Sequence, residues 1–265
     1  MNVSSVFELI QTKAPASVQL ELTRHCNLNC FYCTIRNNDS VPPSQFSLRQ
    51  FTSIIDKLAG AEVFEVAFFG GEPFLYPHIY ELGRYSSGKG LTTNLLSNGT
   101  LIRTENIGRI AEVFHSGTLA LNGLEASHDR FVGRPGAFKQ TSRALKEFPA
   151  IGFPIGIDTL VSASNVSQLE SFLQRISEDL PNVSSIFLDL YVVRNGAEFQ
   201  SEKLEQSQLG YVYETINKYN ATKELQDKVS FGTAFPYCLL PEKYANLRRN
   251  CSAGWTFGSF PTGRH

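Results

Sequence analysis

The chain has 265 residues, 42% of them hydrophobic and twenty of them phenylalanine, so it can bury a sizeable core in one large domain or two small ones. Its 24 basic and 25 acidic residues nearly cancel, which excludes the charge excess of a large nucleic-acid footprint. No run of about eighteen apolar residues suggests a membrane span, and residues 1–10 lack the basic start and long apolar stretch of a signal peptide.

After an N-terminal segment at 1–16, strand-like and helix-like patterns alternate without a low-complexity linker. Strands are predicted at 17–23, 62–69, 91–97, 117–122, 153–161 and 183–191. Several are near-continuous apolar runs, such as residues 63–69, as expected of parallel strands covered on both faces. A first helix has Ser47 as its N-cap, apolar Leu48, Phe51, Ile54, Ile55 and Leu58 at helical spacing, and Gly60 as its stop. A second begins after Thr104 and repeats Ile107, Ile110 and Phe114. A third begins near Asn165 and repeats Leu169, Phe172, Leu173 and Ile176 before Pro181. Six strand–helix units occupy residues 17–220, and right-handed crossovers would curl their sheet into a partial barrel. Eight units, needed for a full TIM barrel, do not fit. The predicted class is therefore α/β, a partial (β/α)6 TIM-like barrel with a short irregular C-terminal extension at 221–265. In such sheets ligands bind at the C-terminal strand ends.

The loop after the first strand carries Cys26, Cys30 and Cys33, spaced C-x3-C-x2-C. Thiolates so close together can converge on one soft metal centre: iron–sulfur, zinc or copper(I). A structural zinc wants four closed ligands, and a cubane cluster usually takes four cysteines. Three leave one metal position open to a substrate or cofactor. The competing reading is a zinc knuckle completed by His25 or a distant cysteine. Asn27 and Asn29 read as turn formers. Three of five cysteines clustered near one end make a poor disulfide framework, which points to a reducing, cytoplasmic location.

This spacing, with Tyr32 just before the third cysteine, resembles the signature of the radical S-adenosylmethionine (radical SAM) enzymes. The resemblance implies one [4Fe-4S] cluster held by Cys26, Cys30 and Cys33, with S-adenosylmethionine chelating the fourth iron. It also implies Tyr32 against the adenine end of the cofactor. Gly70-Gly71-Glu72-Pro73 after the second strand is similar to the family's GGEP motif, which contacts the cofactor's amino group. Glycines there let backbone approach a ligand closely. Ser97-Asn98-Gly99 after the third strand is a turn by composition, and in similar enzymes such a segment lies near the ribose and carboxylate. Leu119 to Gly123, then His128-Asp129 and Gly133-x-x-Gly136-x-Phe138, resembles the peptide-modifying branch with SPASM or Twitch domains. Two positions depart from that pattern: Ala120 stands where serine is frequent and Asn122 where aspartate is. Asn122 can still hydrogen-bond the cofactor but cannot act as an anion. His128 and Asp129 read as loop-fixing residues, and Arg134 or Arg143 could pair with the cofactor carboxylate.

Within the fifth and sixth strands, Asp158, Asp189 and the adjoining Tyr191 are polar residues in otherwise apolar runs. Such groups are costly unless paired, so they are expected in the barrel lumen as catalytic candidates or as an internal polar network. Near the end, Cys238 and Cys251-x-x-Gly254 resemble the start of an auxiliary-cluster region, with the next cysteine expected just past His265. Two cysteines supply half a cluster's thiolates, so no auxiliary cluster is expected; buried thiols or a hydrogen-atom donor are the other readings.

The resemblance thus implies reductive cleavage of S-adenosylmethionine to a 5′-deoxyadenosyl radical that abstracts hydrogen from a substrate. That substrate is expected to be a ribosomal peptide or protein side chain. The alternatives are a small metabolite such as a sugar, nucleoside or amino-acid derivative, and, outside enzymes, a non-catalytic metal-binding protein. An external one-electron reductant, flavodoxin- or ferredoxin-like, is implied, and no nucleic-acid or membrane partner. No N-terminal peptide-recognition domain is expected, because the barrel begins within the first twenty residues.

Overall fold

A computed structural model describes residues 14–33, 35, 46–191, 197–222, 225, 226, 228–232, 259 and 260. Its first half runs β1 (Ser17–Glu21), α1 (Leu48–Gly60), β2 (Glu65–Phe69), α2 (Ile79–Gly88), β3 (Thr92–Ser97), α3 (Thr104–Ala111) and β4 (Ser116–Ala120). Two consecutive helices follow, α4 (Glu125–Val132) and α5 (Ala137–Ala150), and then β5 (Ile155–Val161), α6 (Leu169–Asp179), β6 (Ser185–Leu190) and α7 (Gln206–Asn220). Two short strands, β7 (Val229–Phe231) and β8 (Ser259–Phe260), complete the described elements. Cys238 and Cys251 lie outside the described residues.

All strand pairs are parallel, and the order is β7-β6-β5-β4-β3-β2-β1-β8. Because every pair is parallel, every strand's C-terminal end lies on one rim. This is the partial TIM-like α/β architecture expected. Each of the six predicted strands is present, and the sheet continues past them: β7 pairs with β6 beyond residue 220 and β8 pairs with β1. At three and two residues, neither strand is long enough to show a period-two pattern in sequence.

The two faces of the sheet differ in chemistry. Val18, Leu20, Val66, Phe68, Leu95, Leu119, Ile157 and Leu188 alternate onto the helix side, where they share one core with Phe51, Ile55, Leu82, Ile107, Phe148 and Phe172. Burying each such side chain stabilises the fold by roughly 1.5–3 kcal/mol. The opposite, luminal face carries Gln19, Ala67, Asn94 and Ser116 level with one another, and higher up Ala120, Asp158 and Phe187. A full barrel packs branched apolar residues there. This lumen instead mixes small and polar side chains with the ring of Phe187.

Helix ends follow the sequence closely. Ser47 and Gln50 form a reciprocal capping box on α1, a contact of about 1 kcal/mol. The pair α4 and α5, which periodicity does not flag, is separated by Gly133 and Gly136, both left-handed (φ 65° and 80°). Asp129 accepts from the Gly136 and Phe138 N–H groups at 2.6 and 2.8 Å and so shapes that turn. Among the described residues no helix is long and apolar enough to cross a membrane.

Candidate active site

The cysteine loop leaves β1 at the C-terminal rim and runs beside the Gly70-Gly71-Glu72 turn. Leu22 N donates to Phe69 O (2.8 Å), Gly71 N to Thr23 O (2.7 Å) and Glu72 N to His25 O (2.8 Å). Gly70 has φ +148°, and a Cβ on it would meet Thr23 O at 2.4 Å; a Cβ on Gly71 would meet His25 O at 2.3 Å. The chain itself therefore requires both glycines, because the cysteine-loop backbone occupies the space a side chain would fill. On its other flank the loop donates from Asn29 N to Val132 O and from Phe31 N to Phe131 O. There Leu28 packs with Phe131, Val132 and Ala137 in a satellite core.

The three thiols of this loop are close enough to interact electrostatically. Burial pushes the Cys30 thiol up to about 12, Cys26 and Cys33 add to the rise, and a hydrogen bond from Tyr32 opposes it. Burial also raises Cys26, against donation from Leu28 N (3.4 Å) and Asn98 Nδ2 (3.8 Å). Among the described residues no three His, Cys, Asp or Glu side chains are gathered as for a single metal ion. A cubane cluster takes one thiolate per iron corner, and cationic irons deprotonate thiols that burial otherwise keeps neutral. Three soft donors with N–H groups aimed at one sulfur fit such a cluster chemically.

Glu72, Ser97 and Asn98 meet where β2 and β3 end. Glu72 is 0% exposed, and its carboxylate accepts from Ser97 Oγ (2.9 Å), Asn98 N (3.0 Å) and Phe74 N (3.2 Å). Burial nevertheless lifts it to about 7, despite those three donors. Asn98 reaches on toward the cysteine loop, donating from Nδ2 to Asn27 Oδ1 at 3.0 Å.

Tyr32 and Asn122 are joined across the rim. Asn122 Nδ2 donates to Tyr32 Oη at 2.6 Å, its Oδ1 accepts from Leu160 N at 2.9 Å, and its own N–H donates to His128 Nδ1 at 3.0 Å. Asn122 is 1% exposed, so its amide is committed to linking β4, β5 and the cysteine loop. His128 is held near 4 by burial, with Asp129 opposing the shift. Tyr32 is raised well above the usual phenol range, first by burial.

The lumen below contains Asp158, whose register partner on β6 is Phe187; Asp189 stands one step higher, beside Leu160. Asp158 is pushed well above the usual carboxylate range by burial and then by Asp189. Its Oδ1 has no hydrogen-bond partner among the described residues. Tyr191 follows β6, with its ring 6.5 Å from that of Phe31 in the cysteine loop. Asp158, Asp189 and Tyr191 thus belong to the same rim and lumen as the thiols. Arg143 does not: its guanidinium binds Ile102 O at 2.6 Å and approaches Glu147 on the outer face of α5. Arg134 donates its backbone N–H to Asp129 O, and His25 is exposed. Sequence reasoning missed Thr100, and it read Asn27 only as a turn former. Both bond across loops some 70 positions apart, and no local pattern reports that.

A partial barrel with a three-thiol loop on its ligand-binding rim defines the class of protein. Residues 20–176 match the Radical SAM superfamily model, and the chain belongs to that superfamily, whose members use a [4Fe-4S] cluster and S-adenosylmethionine. It is 31% identical over 172 residues to an AdoMet-dependent heme synthase of Methanosarcina barkeri, covering 64% of this chain and 49% of that one. It is 32% identical over 161 residues to the mycofactocin maturase MftC of Mycobacterium tuberculosis, covering 60% and 41%. The structure of Streptococcus suis SuiB bound to its precursor peptide SuiA superposes with a TM-score of 0.73 at 16% identity, over 89% of this chain and 52% of that one. The chain spans about half the length of these relatives.

Proposed function

We propose that this chain is the catalytic barrel of a radical SAM peptide maturase, with Cys26, Cys30 and Cys33 as the thiolates that hold the cluster. The observation that carries the reading is the cysteine loop itself, clamped at the sheet's C-terminal rim by the Gly-Gly-Glu turn. Tyr32, Gly70, Gly71, Glu72, Ser97, Asn98 and Asn122 frame the cofactor side of that loop. When bound, the cluster and S-adenosylmethionine supply a 5′-deoxyadenosyl radical that abstracts hydrogen. The chain's own contribution is to present three thiolates, pack Leu28, Phe31 and Phe131 around Cys30, and direct the substrate toward the lumen that holds Asp158 and Asp189. Asp158, Asp189 and Tyr191 line the approach and are the groups available to orient a substrate or move a proton. The six predicted units fill a barrel at 17–220, and the extension at 221–265 adds β7 and β8 to the same sheet. A reducing, cytoplasmic setting and a flavodoxin- or ferredoxin-like reductant accompany this reading.

A peptide substrate is supported by the maturase relative and by SuiB, whose structure holds a precursor peptide. The similarity to heme synthases favours a second reading, in which the lumen receives a tetrapyrrole or another small metabolite. Anaerobic reconstitution followed by a 5′-deoxyadenosine assay with dithionite tests the activity. Mass spectrometry of a co-encoded peptide, beside a porphyrin incubated in parallel, separates the substrates. Absence of 5′-deoxyadenosine from iron-loaded protein would overturn the enzyme reading, and a modified porphyrin with an unchanged peptide would overturn the maturase.

A further inference from the structure

Three side chains close a hydrogen-bonded ring between the β3 loop and the cysteine loop. Asn27 Nδ2 donates to Thr100 Oγ1 (2.8 Å), and Thr100 Oγ1 donates to Asn98 Oδ1 (2.7 Å). Asn98 Nδ2 then donates to Asn27 Oδ1 (3.0 Å). Glu72, outside the ring, pins it by accepting from Asn98 N (3.0 Å). Thr100 N also donates to Asn98 Oδ1 (2.9 Å), and Thr141 Oγ1 donates to Asn98 O (2.8 Å). Each amide in the ring uses its oxygen as acceptor and its nitrogen as donor, and the hydroxyl does both. Turning over either amide would set donor against donor or acceptor against acceptor, so the ring allows one orientation of Asn98.

That orientation has a chemical result. It aims the Asn98 amide nitrogen, rather than its oxygen, at Cys26 Sγ, 3.8 Å away. A sulfur that binds iron as a thiolate gains from such a donor, and hydrogen bonds to cluster sulfurs help set the reduction potential. Glu72, without exposed surface, serves here as the anchor of the β3 loop.

We propose that Thr100 and Asn27 are positioning residues which, through Asn98, hold a hydrogen-bond donor on the sulfur of Cys26 and so preset the first cluster ligand and its potential. The proposal rests on reading Cys26 as a cluster ligand. Both act through Asn98.

The test compares Thr100→Val, which keeps shape but removes the hydroxyl, with Thr100→Ser, which keeps the hydroxyl; Asn27→Ala on the half-buried loop is a second ring-breaking variant. In iron-free protein, amide hydrogen exchange over residues 24–30 should accelerate about tenfold in Thr100→Val and Asn27→Ala and stay at the wild-type rate in Thr100→Ser. In reconstituted protein, redox titration by EPR should show the two ring-breaking variants harder to reduce. The expected change is about tenfold in the one-electron equilibrium, or about 59 mV, with Thr100→Ser restored to wild type. An unchanged potential in both ring-breaking variants, or a Thr100→Ser variant as perturbed as Thr100→Val, would overturn the proposal. If the wild-type protein takes up no iron, the cluster reading fails. The exchange experiment then decides whether the ring orders the loop, and unchanged exchange sinks the proposal by itself.

Discussion

Asn122 Nδ2 donates to Tyr32 Oη at 2.6 Å, which ties the end of β4 to the residue between the second and third thiols. The same phenol hydrogen-bonds the Cys30 thiol, so one chain of contacts runs from the sheet to a sulfur. Aspartate, the frequent residue at this position in the resembling family, could not donate to Tyr32.

Asn122→Asp should therefore destabilise the fold by about 1–3 kcal/mol, because a carboxylate replaces an amide whose donor and acceptor are both used in a buried site. Tyr32 would turn its proton toward the new carboxylate and away from Cys30. Urea denaturation measures the first effect, and EPR of the reduced cluster in the variant reports the second. A variant as stable as wild type would show that the amide donor contributes nothing.

Gly71→Ala places a Cβ 2.3 Å from His25 O, a contact that only a backbone shift relieves. The cost is expected on the order of 2 kcal/mol. Because the shifted backbone is that of the cysteine loop, iron incorporation should fall more than thermal stability does. Gly60→Ala, where a Cβ meets nothing within 4 Å, is the matched control and should leave both unchanged.

His128 makes stability depend on pH in a definite direction. Burial holds it near 4 in the folded protein against 6.5 unfolded. Between those values the unfolded chain binds a proton that the folded chain refuses. Its stabilising contribution is thus present above about pH 6.5 and is lost as pH falls toward 4, at roughly 1 kcal/mol per pH unit. His128→Gln should flatten that slope in denaturation curves of iron-free protein. An unaltered slope would assign it to other groups.

Cys30→Ala should abolish both the cluster absorbance and S-adenosylmethionine cleavage while the iron-free fold persists, as judged by circular dichroism. Wild-type protein should bind about four irons per chain rather than about eight. Eight would assign Cys238 and Cys251 to a second cluster.

Asp158→Asn tests the lumen. The substitution keeps shape and hydrogen bonding but removes the titrating proton, so product formation should fall while 5′-deoxyadenosine continues to appear without coupled product. Product formed at the wild-type rate would limit Asp158 to a structural place in the barrel.

Strand positions, the capped start of α1 and the three thiols could all be read locally, because period-two and period-3.6 burial and the spacing of soft ligands leave marks within a few residues of each other. The motif at residues 70–72 was legible as a site, but its glycines were read as making room for a ligand. The fold shows that they first make room for Thr23 and His25. Glu72, which the motif marks only as a contact for the cofactor's amino group, is buried and accepts from Ser97 and Asn98 at the end of β3.

By itself, then, the order of residues determined a singly wound parallel sheet and which rim would carry chemistry, since those follow from repeating apolar patterns and from ligands adjacent along the chain. Only the tertiary structure decided how Asn27, Asn98 and Thr100 join, where the Asn122 amide points, and that Asp189 stands close enough to act on Asp158. These contacts link segments about 30 to 90 positions apart. Their geometry depends on the twist and register of the closing sheet, which no short stretch of sequence encodes.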